Sequence, residues 1–595
     1  MRLLTLMFLA LGAAPMAAQA ESAPNVLLIL ADDMGVDQLG AYGESLNPPP
    51  TPHLDALAAG GLLFRNAWAC PECSPARAAL QTGRYGFRTG VGAGIFDTTP
   101  GSPPLPLSEV TLPEMLDAGA SGYVSAAVGK WHLGGPSVGG DFAPNLAGYA
   151  FFEGPIDNIK LPDTYFDYPK VFNGAPIQGT GYATTNQVNA ALTLAQFLPE
   201  PWFVHLSLSA PHSPYHEPPA YLHTQDLSGA PPPTLDGSPY YRAMVEAMDT
   251  EIGRLLAGLG PLRDNTLVIF AADNGSPVNM AVPPFPEDQV KQTLFEGGIN
   301  VPFLVNGPGV QAGAESSALI HLVDVFATVA ELAGVDLSDP NVIPAGRTLD
   351  SISLVPYFGD PGQASLRTYA FSERFFPNGE GVPPGGVLQT KLPNDPPVCQ
   401  TDLGFGSPAG AIPQLSICGE SFTPGNETTL TLSSNQASSS AFVLLSLNSQ
   451  PTPFAGSTLV PFPPLAILTV PTDASGTATY ALDGDLANGT YSVPVDFQAL
   501  LTDPAQPNGF QLSNAVRLQM LSPNSKTIFN GRYKWIGTGK GGPESLYDLW
   551  NDPFEQVDLL FPGGTPQLTT EETIAYLQLR LAMNSLLQSE VTPGP

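Results

Sequence analysis

The sequence predicts an α/β fold with a mostly parallel sheet flanked by helices, because strand-like apolar runs alternate with helical patterns from Asn25 to about Gly334. Residues 25–30 and 266–270 are continuous apolar runs, which is typical of strands buried on both faces. The apolar residues of 244–256 and 322–332 recur at a spacing near 3.6 and predict helices that pack on the sheet. The chain has 595 residues, enough for about two to four domains.

A second type of region spans about residues 376–522. There the helical periodicity is lost, Pro, Gly, Ser and Thr are abundant, and short β-rich runs recur at a spacing of roughly 10–15 residues. Asn488-Gly489 is a hairpin signal, so the region predicts an inserted β-sandwich. Cys399 and Cys418 near its start are candidates for a disulfide.

The remainder of the chain returns to mixed structure. Residues 526–559 predict further antiparallel strands, and residues 571–588 predict an amphipathic terminal helix. We therefore divide the chain into residues 1–20 as a signal peptide, 21–375 as the main domain, 376–522 as the inserted β-sandwich-like domain, and 523–595 as a small C-terminal α+β subdomain that completes the main fold.

The first twenty residues have the composition of an export signal. Arg2 supplies the positive end, residues 3–11 form the apolar run, and Ala18-Gln19-Ala20 is a small-residue cleavage site. An uncleaved anchor helix is the alternative, but the run is shorter than the ~20 residues that span a bilayer. No later segment is long and apolar enough to span one, so we expect a periplasmic or secreted protein without a membrane span.

The charge balance excludes several classes of partner. The chain has 54 acidic against 22 basic residues, a formal net charge of −32. Such a field repels phosphate backbones and anionic lipid, which argues against nucleic-acid binding and a polybasic membrane contact. Between residues 392 and 516 there is no Lys or Arg at all, so we do not expect the inserted region to bind polyanions. Any anionic substrate therefore needs locally placed cations.

Polar residues follow two of the predicted strands at the point where each ends. Asp32-Asp33 follows the first apolar run, and Asp273-Asn274 follows the run at 266–270. Ligands of open α/β sheets bind beyond the carboxyl ends of the strands, so we expect these two pairs to meet in one site. The alternative for each aspartate is a helix cap or a turn, positions that Asp favours.

The sharpest local motif is Cys73-Ser74-Pro75-Ala76-Arg77, followed by Thr82-Gly83. With Cys70 it forms a C-x-x-C pair, which elsewhere indicates redox exchange or zinc. A redox motif should open a thioredoxin-like βαβ unit, and a zinc site needs a second ligand pair; the sequence has neither context. From the residues alone, Cys73 is either a partly activated thiol beside Arg77 or a structural cysteine.

The Cys-x-Pro-x-Arg and Thr-Gly motif resembles the signature of the type I sulfatases, which belong to the alkaline-phosphatase superfamily. Further segments resemble the same family in the same order, over about 24–375 and again over 523–560: Asn25 to Gly35, Thr51-Pro52-His53-Leu54-Asp55, Gly129-Lys130-Trp131-His132-Leu133-Gly134, Ala210-Pro211-His212-Ser213-Pro214, Asp273-Asn274-Gly275, Lys291 ahead of Phe295-Glu296-Gly297-Gly298, Asn530-Gly531-Arg532-Tyr533-Lys534 and Leu546-Tyr547-Asp548-Leu549. The resemblance implies an alkaline-phosphatase-like sheet, a catalytic domain at 21–375 and an arylsulfatase-like sulfuric ester hydrolase. In this family a maturation enzyme converts the motif cysteine to Cα-formylglycine.

The resemblance also implies roles for individual residues. Hydrated formylglycine at position 73 would attack the sulfur of a carbohydrate or aryl sulfate, and its second hydroxyl would later expel sulfate. The metal ligands would be Asp32, Asp33, Asp273, Asn274 and the converted Cys73, a hard oxygen set that suits Ca²⁺, or Mg²⁺, rather than zinc. The catalytic set would be Arg77 orienting the formylglycine, Lys130 and Lys291 binding sulfate oxygens, His132 hydrogen-bonding the formylglycine, and His212 facing the ester oxygen as general acid.

Two other functions fit the same residues. A phosphonate or phosphate ester hydrolase would use the same cations, because tetrahedral oxyanions of similar size fit similar sites. A non-catalytic binding protein would keep the scaffold with Cys73 unconverted. A disulfide between Cys70 and Cys73 would block conversion, so we expect Cys73 to be modified before it can be oxidised.

Overall fold

The structure is a computed structural model of the chain. It describes residues 23–95, 103–375, 378, 398–399, 401–404, 413–419, 427–434, 440–446, 452–454, 457–459, 466–483, 494–503, 509–519, 525–538, 544–560 and 568–588. The predicted signal peptide and the Asn488-Gly489 turn lie outside the described residues.

A ten-stranded sheet forms the centre of the main domain. Its strands are β1 (Asn25–Ala31), β2 (Leu62–Trp68), β3 (Val124–Gly129), β4 (Phe151–Gly154), β5 (Asp167–Phe172), β6 (Ala175–Thr180), β7 (Trp202–Ser207), β8 (Thr266–Ala272), β9 (Phe303–Asn306) and β10 (Ala314–His321). Their order across the sheet is β10-β2-β9-β8-β1-β7-β3-β4-β5-β6. Strands β8, β1, β7, β3 and β4 run parallel, whereas β9, β5 and β6 pair antiparallel with their neighbours.

The two continuous apolar runs are neighbouring central strands, as a strand covered on both faces requires. Every residue of β1 and of β8 is buried. The mostly parallel sheet predicted from the sequence is therefore confirmed.

Helices cover this sheet. They are α1 (Pro52–Ala59), α2 (Cys73–Thr82), α3 (Gly86–Thr89), α4 (Leu112–Ala118), α5 (Ala143–Leu146), α6 (Ala183–Phe197), α7 (Ser238–Gly258), α8 (Glu296–Ile299), α9 (Asp324–Leu332) and α10 (Val355–Gly359). The predicted helices at 244–256 and 322–332 are confirmed as α7 and α9, and their apolar faces join the buried core of the sheet. Helix α2 begins at Cys73 and is buried along its whole length.

The described residues of the β-rich region form three further sheets. Its strands are β12 (Val398–Cys399), β13 (Thr401–Gly404), β14 (Gln414–Gly419), β15 (Glu427–Ser433), β16 (Ser440–Ser446), β17 (Thr452–Phe454), β18 (Ser457–Leu459), β19 (Ala466–Pro471), β20 (Thr477–Asp483), β21 (Pro494–Thr502) and β22 (Phe510–Gln519), with β11 (Ala370–Arg374) preceding them. Strands β12-β14-β15-β20 form the first sheet, β13-β22-β21-β16-β19 the second, and β17-β18 a two-stranded third. Leu430 and Leu432 of the first sheet and Val443 and Phe497 of the second share one apolar core, which is the arrangement of a β-sandwich.

The two cysteines of this region occupy facing positions. Cys399 of β12 and Cys418 of β14 are partners in the antiparallel backbone pairing. Their side chains lie outside the described part of the chain, so the disulfide stays a prediction.

The C-terminal residues form an antiparallel sheet and a helix. Strands β23 (Ser525–Phe529), β24 (Tyr533–Thr538) and β25 (Glu544–Asp548) extend β11 in the order β11-β23-β24-β25, and α11 (Thr570–Gln588) follows them. Trp535 of β24 and Leu579 of α11 belong to the same buried core as the main sheet. Within the described residues, no helix combines the length and the apolar character needed to cross a membrane.

Candidate active site

The ends of β1 and β8 bring the two predicted acidic pairs together. The strands are parallel and paired in register, with Ala31 opposite Ala272, so the residues that follow them emerge side by side. The backbone N–H of Asp33 donates to Oδ1 of Asp273 over 3.1 Å, and Nδ2 of Asn274 donates to Oδ1 of Asp33 over 2.9 Å. The predicted meeting of the two pairs is therefore present in the structure.

Cys73 faces these carboxylates from the first residue of α2. Its Sγ lies 3.3 Å from Oδ1 of Asp32 and 3.6 Å from Oδ1 of Asp33. Cys70 and Cys73 are both buried and both free, so no disulfide joins them. The Cys73 thiol thus points into the acidic site, whereas Cys70 lies in the apolar core.

Arg77 follows Cys73 by four residues, a spacing that places both side chains on one face of α2. Its Nε and one terminal nitrogen donate to Oδ2 of Asp273 over 3.0 and 2.8 Å, and the same terminal nitrogen lies 3.6 Å from Oδ1 of Asp32. The other terminal nitrogen donates to the backbone carbonyl of Lys130 over 3.1 Å. Arg77 is fully buried and is held rigidly by these groups.

Two lysines join Arg77 as the cations of the site. Nζ of Lys130 lies 2.6 Å from Oδ2 of Asp32, while Nζ of Lys291 binds Oδ1 of Asp33 and lies 3.6 Å from Sγ of Cys73. Lys130 is positioned by Gly129, which has φ +97° and would place a Cβ 1.8 Å from the Ser207 carbonyl. Glycine is therefore required for the close approach of β3 to β7 at this point.

The two predicted histidines differ in their contacts. Nε2 of His212 is 3.8 Å from Oδ2 of Asp33, and its Nδ1 lies 2.7 Å from the Ser213 carbonyl. His132 has a left-handed backbone with φ +59°, and neither ring nitrogen has a hydrogen-bond partner among the described residues. Its Nε2 lies 3.4 Å from Oδ1 of Asp157 without hydrogen-bonding geometry. Strained non-glycine residues of this kind concentrate at functional sites.

The electrostatics of the site keep Asp32 and Asp33 ionised and the thiol neutral, while burial raises the pKa of Asp273 to about 6. Burial would raise the pKa of Asp32, but the surrounding cations, Lys130 foremost, hold it well below its usual range. Burial, together with the Asp273 and Asp32 carboxylates, raises the pKa of the Cys73 thiol far above its usual value. Burial also lowers the pKa of His212 against the opposing effect of Asp33.

The donor set fits a hard divalent cation. Single oxygens of Asp32, Asp33 and Asp273 and Sγ of Cys73 all lie within 4.8 Å of one another. Oδ1 of Asn274 is buried and has no hydrogen-bond partner in the described part of the chain, which is costly for an amide oxygen unless another ligand satisfies it. Oxygen donors of this kind are those that Ca²⁺ and Mg²⁺ prefer.

Sequence reasoning did not identify three supporting residues. The Ser207 hydroxyl at the end of β7 donates to the Lys130 carbonyl over 2.6 Å, and the Tyr241 hydroxyl donates to the Asp33 carbonyl over 2.7 Å. Asp157 lies beside His132. Ser207 could have been found from its place at the carboxyl end of a buried strand, whereas no local pattern marks Tyr241 or Asp157.

Comparison with known proteins agrees with this geometry. A family model described as Sulfatase matches residues 24–335, more than half of the chain. The chain belongs to the sulfatase family. The resemblance found in the sequence is therefore confirmed.

The curated relatives of this sulfatase include an N-acetylgalactosamine-6-sulfatase and an arylsulfatase A. The N-acetylgalactosamine-6-sulfatase of Homo sapiens is 35% identical over 375 residues, which cover 57% of this chain and 66% of the relative. Arylsulfatase A of Bos taurus is 33% identical over 402 residues, which cover 61% of this chain and 73% of the relative. The alignment thus spans about two thirds of the length of the first of these relatives.

The fold of the sulfatase also matches a solved structure. The crystal structure of Ps i-CgsB in complex with k-i-k-neocarrahexaose superposes with a TM-score of 0.58 at 18% identity, covering 96% of this chain and 94% of that chain. The likeness extends over nearly the whole length of both chains and confirms the predicted fold class.

Proposed function

We propose that this sulfatase hydrolyses a sulfate monoester of a carbohydrate or an aryl alcohol, using a formylglycine made from Cys73 and a divalent cation. The observation that carries the proposal is the position of Cys73, whose Sγ lies 3.3 Å from one buried carboxylate and 3.6 Å from the ammonium group of Lys291. A site of this kind holds an anion and a reacting group at position 73 next to one another. The relationship to sulfatases of known substrate supports the same reaction class.

The environment of Cys73 argues against the thiol itself as the nucleophile. A reactive cysteine needs a lowered pKa, whereas burial and neighbouring carboxylates raise the pKa of this thiol. Conversion to formylglycine removes that difficulty, because its hydrate supplies a hydroxyl nucleophile instead of a thiolate. The absence of a disulfide between Cys70 and Cys73 leaves the thiol available to a maturation enzyme.

The metal would be held by Asp32, Asp33, Asp273, Asn274 and the modified residue 73. When bound, Ca²⁺ or Mg²⁺ would supply Lewis-acid stabilisation of negative charge at this point. Asp32 and Asp33 stay ionised at neutral pH because the neighbouring cations lower their pKa values, and Asp273, whose pKa burial raises to about 6, is still mostly ionised there.

The other residues would bind the anion and move protons. Lys130 and Lys291 would contact sulfate oxygens, and the buried Arg77, held by Asp273, would orient residue 73. His212 would hold a proton at the ester oxygen and deliver it to the leaving alcohol. His132, whose ring nitrogens have no partner in the described residues, would accept a hydrogen bond from residue 73.

The division of the chain and its export are part of the same proposal. We infer that residues 1–20 direct export to the periplasm or the medium, and that 21–375 and 523–595 together form the catalytic unit. The core shared by the main sheet and Trp535 supports that pairing. Residues 376–522 would form the inserted β-sandwich.

The test is a tryptic mass spectrum of the native protein across Cys73, followed by rates on nitrophenyl sulfate and nitrophenyl phosphate. We expect the peptide mass of an aldehyde at position 73 and faster cleavage of the sulfate ester. Cys73→Ala should abolish turnover, while Cys70→Ala, a neighbouring buried cysteine outside the site, should retain it. An unmodified thiol without turnover would favour a binding protein, and faster phosphate cleavage a phosphate ester hydrolase.

A further inference from the structure

The charged side chains at the centre of the site pair with one another. The three cations Arg77, Lys130 and Lys291 each contact a carboxylate, respectively Asp273, Asp32 and Asp33. Three positive and three negative side chains balance. Apart from a bound metal ion, these side chains therefore supply no net positive charge that could hold a second anionic group.

The described segments next to this centre can be identified from their contacts. Segment 155–160 accepts hydrogen bonds from the backbone of Trp131 and His132 through its Pro155 and Ile156 carbonyls, over 3.1 and 2.8 Å. Segment 213–217 directly follows His212, and segment 286–290 leads directly into Lys291. These three segments adjoin His132, His212 and Lys291 within the described part of the chain, and the part of a substrate beyond its sulfate would face them.

The charges of these segments are almost all negative. Segment 155–160 contains Asp157, and its single cation, Lys160, places Nζ 2.6 Å from Oδ2 of that aspartate. The next lysine along the chain, Lys170, is paired with Glu153. The stretches 213–240 and 276–290 contain Asp and Glu but no Lys or Arg. Lys160 holds Oδ2 of Asp157, while Oδ1 of that carboxylate is turned toward His132, 3.4 Å from its Nε2. A second anionic group of the substrate beside His132 would therefore meet this oxygen, and both Lys160 and Lys170 are already paired.

The same surroundings offer aromatic rings. The ring of Tyr215 packs edge-on against Tyr241 at a centroid distance of 6.0 Å, and Tyr241 in turn donates to the Asp33 carbonyl. Burial, and to a lesser extent the Asp33 carboxylate, raises the pKa of the Tyr215 phenol. Phe166 is partly exposed and lies edge-on to His216 at 5.6 Å. Such rings contact uncharged sugar or aryl faces.

We propose that the substrate carries its negative charge in one sulfate group, and that Asp157 is a specificity-determining residue that disfavours a second anionic group beside it. The preferred class is a monosulfated neutral sugar or a monosulfated aryl alcohol, and esters bearing a uronate carboxylate or a second sulfate are poor substrates. This inference rests on the proposed sulfatase reaction. One close like-charge contact should lower kcat/KM by about 10–100-fold.

The experiment compares matched esters that differ by one charge. A nitrophenyl sulfate bearing a ring carboxylate is measured against its methyl ester, and a monosulfated neutral disaccharide against the same sugar with a uronate. We expect kcat/KM to fall about 10–100-fold for the carboxylate of each pair, and the difference to shrink between about 20 mM and about 500 mM salt, because salt screens partly exposed charges.

A pair of variants assigns the effect to its residue. Asp157→Asn keeps the side-chain shape and should lower the preference for the neutral ester by about 5-fold or more. Glu331→Gln on α9 makes the same charge change at an exposed position outside these segments, and should leave the preference unchanged. Because each readout is a ratio of two esters on one enzyme preparation, a general loss of activity cancels.

The outcomes separate this inference from the reaction on which it rests. Equal rates on both members of each pair, or an unchanged preference in Asp157→Asn, would overturn the single-charge inference alone. Failure to cleave any sulfate ester, with an unmodified Cys73, would overturn the proposed reaction and the inference with it.

Discussion

Lys534 is the buried cation of a cluster that joins the C-terminal sheet to the active site. Its Nζ lies 2.9 Å from Oε1 of Glu296, 2.8 Å from Oε1 of Glu555 and 4.9 Å from the centre of the Trp68 ring. Helix α8 begins at Glu296, shortly after Lys291. The cluster therefore anchors the segment that carries a proposed sulfate-binding lysine.

Replacing Lys534 with Met should destabilise the protein strongly and in a pH-dependent way. At pH 8 we expect the free energy of unfolding to fall by about 3–5 kcal/mol, the usual cost of leaving a buried charge without its partner. This loss of unfolding free energy has an upper limit, because a carboxylate left without Lys534 can take up a proton instead of staying charged. Protonating one Glu at pH 8, about 3.5 pH units above its unfolded pKa, costs about 5 kcal/mol. That cost shrinks as the pH approaches about 4.5, so the loss at pH 5 should be below about 2 kcal/mol.

Urea unfolding followed by tryptophan fluorescence at pH 5 and pH 8 measures both values, and Trp68 beside the cluster serves as a reporter. Lys160→Met is the matched control, because that lysine is exposed and its ion pair with Asp157 is a surface pair. The control should change the midpoint far less at either pH. A loss below about 1 kcal/mol at pH 8, or the same loss at both pH values, would refute the reasoning about a buried unpaired charge.

Three further outcomes can be measured. Burial raises the pKa of Glu555 from 4.5 to about 7, so between those pH values the folded state holds a proton that the unfolded state releases. The free energy of unfolding therefore falls as the pH rises through this range. Glu555→Gln should remove this contribution to the pH dependence, which urea titrations measure. A chelator should lower turnover and the unfolding temperature together and Ca²⁺ should restore both, whereas an unchanged unfolding temperature counts against the ligand cluster. His212→Gln should slow a sugar sulfate more than nitrophenyl sulfate, whose leaving group needs no proton, and equal losses would contradict a general-acid role.

The fold was predictable where its elements are long and strongly patterned. Strands β1 and β8 and helices α7 and α9 follow directly from continuous apolar runs and from apolar spacing near 3.6. The antiparallel strands β5 and β6 at the sheet edge were not predicted, because a short, mostly exposed hairpin lacks a buried face to impose a pattern.

The site was predictable where its residues lie inside motifs. Strand-end position alone predicted that Asp32 and Asp273 would meet, since parallel neighbours end at the same edge of the sheet. Asp157 and Tyr241 could not be predicted in this way. Asp157 reaches the site from a loop and Tyr241 from the first turn of α7, and their positions depend on tertiary packing that no local pattern encodes.

The position of the inserted region explains how it can be accommodated beside the site. Arg374 and Ser525, which flank it, are partners in the β11–β23 pairing, so the insertion leaves and rejoins the sheet at one point. At that point Arg374 binds Glu72, the residue immediately before Cys73. Because paired neighbouring strands already fix both ends, the size of the intervening block adds little strain to the sheet. The β11-β23-β24-β25 sheet, from which the inserted region extends, thus also supports the start of α2 through the contact between Arg374 and Glu72.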